Sequence, residues 1–203
     1  MSQARTRLAR GAVVGAARAL FLERGYGGTT VEAISERADV PPATVYRLFR
    51  SKLGILKAVL DVSIAGDDAD VSIADRPSTR AALTTDDPRA QVAGLVGITR
   101  DINSRAAPLY EMLATAARAD PEAAGLLAEY SRQRHAGQQR FARSLAQRDA
   151  LRIGLRPRDA EDIIHALASP EVYRLLVIER NWTADRYADW LTATLSEQLL
   201  GSH

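Results

Sequence analysis

Residues 29–52 read TTVEAISERADVPPATVYRLFRSK, and the reading of this stretch decides the fold. Thr29 or Thr30 can cap a helix, because a side-chain oxygen there accepts a backbone N–H that the first turn leaves unpaired. Val31, Ile34 and Ala38 then recur at helical spacing and give that helix one apolar face. Asp39 stands where the helix must stop. Pro41-Pro42 cannot continue it, since proline lacks the N–H and its ring obstructs the preceding turn. A second helix runs from Ala43 to Phe49. Its inner positions Val45, Leu48 and Phe49 are apolar, whereas Thr44, Tyr46, Arg47 and Arg50 are left facing outward. Two short helices joined by a tight turn make a helix-turn-helix, whose second helix enters the major groove of DNA.

Upstream, Val13, Val14, Ala17, Leu20 and Phe21 form the buried stripe of a helix from about Arg10 to Arg24. Gly25 ends it and Tyr26 folds back onto the small core. Residues 1–9 read as a basic arm, either a disordered terminus or an extra contact to phosphate or the minor groove. Downstream, Ser51 caps a helix bearing Leu53, Leu56, Val59 and Leu60 on one face. Lys52 lies in its first turn, where its ammonium and the free N–H groups could together hold a phosphate oxygen. Gly66, Asp67, Asp68 and Asp70 mark a break, and the segment to Asp87 reads as a loop or short helix.

The remainder is helical. Pro88 opens a helix to about Arg105, and Pro108 opens another with Leu109, Met112, Leu113 and Ala116 on one side. Pro121 opens a long one through Leu126, Leu127, Tyr130, Phe141 and Leu145. Pro157 opens the next, with Ile163, Ile164 and Leu167; Ser169-Pro170 kinks or splits it before Val172, Leu175, Leu176 and Ile178. Thr183 caps a last helix with Tyr187, Trp190, Leu191, Thr194, Leu195 and Leu199 at i, i+3, i+4 spacing. With no strand alternation and no repeat, the expected fold is all-α, about nine helices.

Charge is unevenly placed. Residues 1–57 carry ten basic side chains (eight Arg, Lys52 and Lys57) against four acidic ones (Glu23, Glu32, Glu36, Asp39), a balance of +6, so the rest carries −4 of the net +2. A basic head on a mildly acidic body suits a protein that presents one end to phosphate. The 203 residues contain no cysteine, which excludes disulfides and thiolate metal sites. Arg18 interrupts the only signal-like run, GAVVGAA, and no apolar segment approaches the ~20 residues needed to span a bilayer. The expected place is the cytoplasm, with the nucleoid.

The segment from about Arg10 to Leu60, carried by AARALFLERGYGGTTVEAISERADV and PPATVYRLFRSKLGIL, resembles the DNA-binding domain of the tetracycline-repressor (TetR) family. The resemblance implies a DNA-binding head over residues 1–57 and a helical effector-binding and dimerisation body over 58–203. It implies DNA contacts from Thr30, Ala43, Thr44, Tyr46, Arg47 and Lys52. Tyr46 and Lys52 match phosphate-contacting positions, while Arg47 could meet a guanine edge or a phosphate. It also implies a homodimer through C-terminal helices, for which Ile164, Leu167, Leu176, Tyr187, Trp190, Leu191 and Leu195 are the candidates. Tyr110, Met112, Tyr130, His135, Phe141 and Tyr173 are candidate liners of an effector pocket. Two positions depart from the family pattern. Asp39 replaces a common Gly, which Asp tolerates because it can adopt a left-handed backbone. Pro41 replaces a Ser or Thr helix cap, a loss of ~1 kcal/mol.

Other chemistries find no footing. His135, His165 and His203 are far apart, with no metal-ligand spacing. Glu161, Asp162 and His165 lie within one helical turn, but nothing supplies a nucleophile or an oxyanion site. No glycine-rich phosphate loop is present and no cofactor is implied. The expected function is therefore a DNA-binding regulator and not an enzyme: a ligand-responsive repressor that binds a palindromic double-stranded operator as a homodimer and is released by an unidentified small molecule. The alternative is a small-molecule-binding helical protein without specific DNA readout.

Overall fold

The computed structural model describes residues 3–67 and 71–201, and it begins with a helix longer than its apolar stripe. α1 spans Gln3–Arg24, so residues 3–9 are helical turns rather than an irregular arm. Ala, Arg and Leu are strong helix formers, and no breaker interrupts them. These turns bury little, with Arg5, Arg7 and Leu8 exposed, so they leave no apolar period to read. Val13, Val14, Ala17, Leu20 and Phe21 are buried as expected. α1 packs on α2 (Val31–Ala38), α3 (Pro42–Phe49) and α4 (Lys52–Ala65). Phe21, Ile34, Val45, Ile55, Leu56 and Val59 keep no accessible surface. Burial of each contributes about 1.5–3 kcal/mol. α1 ends at Gly25, whose φ of 72° is easy only for glycine, and the Tyr26 ring lies 5.9 Å from that of Phe21.

Between α3 and α4 the chain reverses through Arg50, with φ 67° and ψ −42°. The N–H of Ser51 donates to the Phe49 carbonyl at 2.8 Å, closing a γ-turn of the positive-φ kind. An arginine held there is strained by roughly 1–3 kcal/mol. Arg50→Gly removes the strain and adds an entropy cost below about 1 kcal/mol, so we expect stabilisation of the order of 1 kcal/mol. Chemical denaturation of the two proteins reads it, and a destabilised glycine variant would contradict the turn geometry.

The chain divides into two compact units. One comprises α1–α4 together with Pro108–Ala128, and the other holds the remaining described residues. In the second unit a 3-10 turn, Ile73–Asp75, leads to a short α5, Pro77–Thr84. Asp68 and Asp70, read as part of the break before it, lie outside the described residues. α6 (Pro88–Ala116) and α7 (Pro121–Gln147) are the long helices, and each contributes to both units. α8 (Pro157–Leu167) packs on α10 (Ala184–Leu199). α9 (Pro170–Tyr173) continues into a π-helical segment, Arg174–Glu179. The core of this unit is Val92, Val96, Phe141, Leu145, Ile164, Tyr173, Tyr187, Leu191, Leu195 and Leu199 with their smaller neighbours. A single β-bridge between Leu151 and Leu200 ties the α7–α8 connection to the chain's end. Apart from it, regular structure among the described residues is helical, as expected.

α6 contradicts one expectation. Pro88 and Pro108 predict two helices, broken near Arg105, but one runs through Pro108 without interruption. An internal proline forfeits a backbone hydrogen bond and crowds the carbonyl four residues earlier, about 3 kcal/mol. Ala106, Ala107, Leu109 and Leu113 on either side are buried to 2 % exposure or less. Their burial exceeds that penalty. One of the boundaries between the two units falls within this helix, between Ala107 and Pro108.

Candidate nucleic-acid interface

The turn between α2 and α3 is fastened from inside by a residue whose role the sequence did not announce. Ser35, buried, donates its hydroxyl to the Val40 carbonyl, and the Val40 N–H donates back to the Ser35 carbonyl at 3.1 Å. Asp39 adopts the left-handed conformation expected of it, φ 52° and ψ 42°. Pro41 offers no side-chain cap to α3; its carbonyl instead accepts the N–H groups of Thr44 (2.8 Å) and Val45 (3.1 Å). Pro42 fills the first helical position, where a missing N–H costs nothing.

The two threonines divide the work at the start of α2. Thr30 is the cap, its hydroxyl oxygen accepting the Ala33 N–H at 3.1 Å. Thr29 is fully buried and shares its hydroxyl proton between the carbonyls of Gly25 (2.8 Å) and Leu20 (3.2 Å), locking α2 onto the end of α1. An Arg37–Glu23 ion pair at 2.8 Å adds a second link on the surface. Both partners are nearly half exposed, so solvent screening leaves it little to contribute.

On this frame α3 presents Ala43, Tyr46, Arg47 and Arg50 exposed and Thr44 half-buried, while Val45 and Phe49 face inward and are buried. The described residues give Arg47 no acidic partner. Tyr46 is tethered: its hydroxyl donates to Oε1 of Glu32, in the first turn of α2, at 3.3 Å. The carboxylate's charge pushes the phenol's pKa upward. Arg10, from α1, places its guanidinium 5.0 Å over the Phe49 ring at the end of α3.

Lys52 differs from the other candidates. Its ammonium donates to the carbonyls of Tyr26 (2.8 Å) and Thr29 (2.9 Å) and sits 4.3 Å from the centre of the Tyr26 ring. Burial lowers its pKa. Ser51 caps α4 as expected, its oxygen taking the Gly54 N–H at 3.1 Å. Thr30, Ala43, Tyr46 and Arg47 are thus each exposed, whereas Lys52 is directed into the α1–α2 connection. Tyr26 also feels the carboxylates of Asp120 and Glu122, which with its burial raise its phenol's pKa. The turn between α6 and α7 therefore stands close to the Tyr26–Lys52 pair.

This geometry has relatives. Residues 13–59 match the family model for bacterial regulatory proteins of the tetR family. Over those residues the chain resembles that family. Over 48 residues, 24% of the chain, it is 40% identical to an uncharacterised HTH-type transcriptional regulator, YvkB, of Bacillus subtilis; the aligned stretch covers 25% of that relative's length. Two solved structures share the fold over nearly the whole chain. SmeT, in complex with triclosan, matches with a TM-score of 0.72 at 19% identity, covering 95% of this chain and 91% of that one. SmeT is described as the repressor of a multidrug efflux pump in Stenotrophomonas maltophilia. FadR of Bacillus subtilis, in complex with stearoyl-CoA, matches with a TM-score of 0.71 at 17% identity, covering 92% and 97%.

The candidates beyond α4 fall into distinct settings. Tyr110 and Met112 are half-buried on the part of α6 that belongs with the head. Tyr130 (2% exposed), Phe141 (5%) and Tyr173 (4%) are interior residues of the second unit, Tyr173 packing edge-on against Tyr187 at 4.9 Å. His135 is exposed and its Nε2 meets Oε1 of the buried Glu161 at 2.6 Å. Gln139 donates to the other oxygen of Glu161, and His165 bonds Gln138 through Nδ1 at 2.8 Å. Glu161 and His165, two of the three residues weighed for catalysis with Asp162, thus fasten α8 to α7. Gln138 and Gln139 supply the α7 half of that seam, with no sequence pattern to mark them. Among the described residues no group of three or more potential ligands could hold a metal, and no helix is long and apolar enough to cross a membrane. His203 lies outside them.

The seam sets a pH dependence. Burial, and then the charges of Arg134 and His135, lower the pKa of His165 below its ordinary 6.5. The unfolded chain takes the proton first, so this contribution to stability is complete above about pH 6.5 and is lost as the pH falls through the folded value. Melting temperature should decline on acidification from pH 7 to 5, and decline less in His165→Gln. Parallel declines in both proteins would remove His165 as the cause.

The dimer candidates also separate. Ile164, Tyr187, Leu191 and Leu195 are fully buried within the single chain and have no area left for a partner, so their expected role as contacts is corrected to internal support. Leu167, Leu176 and Trp190 keep part of their surface. Leu175 and Ile178 in the π-helical segment, which the expected set did not include, are each 48% exposed. In that segment the Arg180 N–H reaches back five residues to the Leu175 carbonyl, and the widened turn changes which side chains face out.

Proposed function

We propose that the protein is a ligand-responsive transcriptional repressor that binds a palindromic operator as a homodimer and releases it on binding a small molecule. The observation that carries the reading is the exposed face of α3, with Ala43, Tyr46 and Arg47 displayed and the inner face buried on a basic head. We assign residues 1–57 to DNA binding and 58–203 to effector binding and dimerisation. Thr30, Ala43, Thr44, Tyr46 and Arg47 make the DNA contacts, and Lys52 reaches a phosphate with the N–H its two carbonyl bonds leave over. An apolar or amphipathic effector, with Tyr130, His135, Phe141 and Tyr173 of the second unit as its candidate liners, favours a state in which the two heads no longer match half-sites one turn (~34 Å) apart. It acts only through differential affinity for the two states.

The test is fluorescence anisotropy against DNA upstream of the protein's own gene, with scrambled DNA as control, at two salt concentrations. Selective binding that weakens with salt is expected. Equal, feeble binding to both DNAs would favour the other reading, a small-molecule-binding protein, for which the missing cap on α3 is the supporting feature. The dimer has its own check. Leu175→Glu with Ile178→Glu should convert a dimer to a monomer by light scattering without loss of helix, because two charges cannot be buried unpaired in an apolar interface. An unchanged mass would place the interface elsewhere.

A further inference from the structure

Most of the exposed face of α3 is neutral or cationic, yet a carboxylate stands against it. Glu32 comes from the neighbouring helix and receives the Tyr46 hydroxyl at 3.3 Å. A tyrosine hydroxyl that is to meet a phosphate must donate to it, because phosphate oxygens only accept. The same proton cannot serve Glu32 and a phosphate fully. Glu32 also carries a charge of the same sign as the DNA backbone.

We propose that Glu32 is a positioning residue that holds the Tyr46 hydroxyl in the DNA-free protein and opposes binding of the phosphate backbone until a phosphate displaces it. This rests on the DNA-binding reading above and adds to it a built-in opponent of backbone affinity. Glu32 is well placed for both states. In the first turn of α2 its negative charge is favoured by the helix's free N–H groups whether or not Tyr46 is bound to it. The raised pKa of the Tyr46 phenol, caused first by the Glu32 charge, is the same interaction seen from the other partner.

The size of the effect follows from Coulomb's law. One unit charge about 7 Å from a phosphate in water is worth about a threefold change in affinity per head, hence about tenfold for two heads. The experiment compares wild type, Glu32→Gln, Tyr46→Phe and the double variant for binding to a mixed-sequence duplex across a salt series. In parallel, tyrosine labelled at the ring Cζ and assigned through Tyr46→Phe reports the Tyr46 titration by NMR without DNA. Glu32→Gln should bind more tightly by about tenfold at low salt, with the gain shrinking as salt rises. The gain should be smaller in the Tyr46→Phe background, and the Tyr46 titration should move down in Glu32→Gln. Unchanged or weaker binding by Glu32→Gln overturns the inference, and so does a gain in Tyr46→Phe equal to that in wild type, which would mean that Glu32 acts only through its charge on phosphate and not by holding Tyr46. If no protein in the set binds DNA, the regulator reading fails and this inference with it. The NMR titration then still shows whether the Glu32–Tyr46 contact forms.

Discussion

Lys52→Met should destabilise the head by about 2–4 kcal/mol, a larger effect than loss of a surface phosphate contact could produce. The substitution keeps the aliphatic stem and removes the ammonium that joins the Tyr26 and Thr29 carbonyls to the start of α4. A hydrogen bond to a charged group contributes roughly 1.5–3 kcal/mol, and two are lost together with the cation–π contact on Tyr26. Desolvation, seen in the lowered pKa of the ammonium, offsets part of that sum and holds the net to the lower range. Urea denaturation should show the loss, and Lys52→Gln, which retains donors at shorter reach, should recover a fraction of it. If Lys52→Met is as stable as wild type and fails only in DNA binding, the two carbonyl bonds carry no stability and the phosphate role stands alone.

Lys52 also shows where sequence reading reached its limit. A lysine in the first turn of a helix after a recognition helix looks the same in sequence whether its ammonium faces solvent or folds back. Its acceptors are backbone carbonyls 23 and 26 residues earlier, and backbone groups leave no trace in residue identity. The helix-turn-helix itself was legible, because Val31, Ile34, Val45 and Phe49 report their burial through spacing and Pro41-Pro42 punctuate the turn. Ser35 was not. Its hydroxyl serves the Val40 carbonyl inside the turn, and a serine on a helix is more often simply solvated. At Pro108 a strong local signal was outweighed by burial on both sides, which only the packed chain reveals. The dimer candidates rest on a family resemblance applied to apolar positions, and an apolar position reports burial without saying against what. Four of the seven are buried inside their own chain, while Leu175 and Ile178 owe their exposure to a π-helical turn that no spacing rule anticipates.

Arg47→Ala should leave folding untouched and weaken operator binding more than any other exposed substitution on α3. The side chain is exposed and the described residues give it no acidic partner, so truncation removes no internal contact and the melting temperature should stay within the scatter of surface changes. In a two-headed complex the loss is counted twice. A bidentate arginine–guanine contact is worth about 1–3 kcal/mol, so two give about 2–6 kcal/mol, or roughly 30-fold to 10⁴-fold in affinity. The form of the loss identifies the contact. If Arg47 reads a base edge, the operator suffers and scrambled DNA does not, and preference relaxes at one base pair of each half-site. If it holds a phosphate, both DNAs weaken alike and the salt slope flattens by about 0.9 for each head. Binding equal to wild type on both DNAs would mean that α3 does not meet the groove through this face, and would count against the docking on which the regulator reading depends.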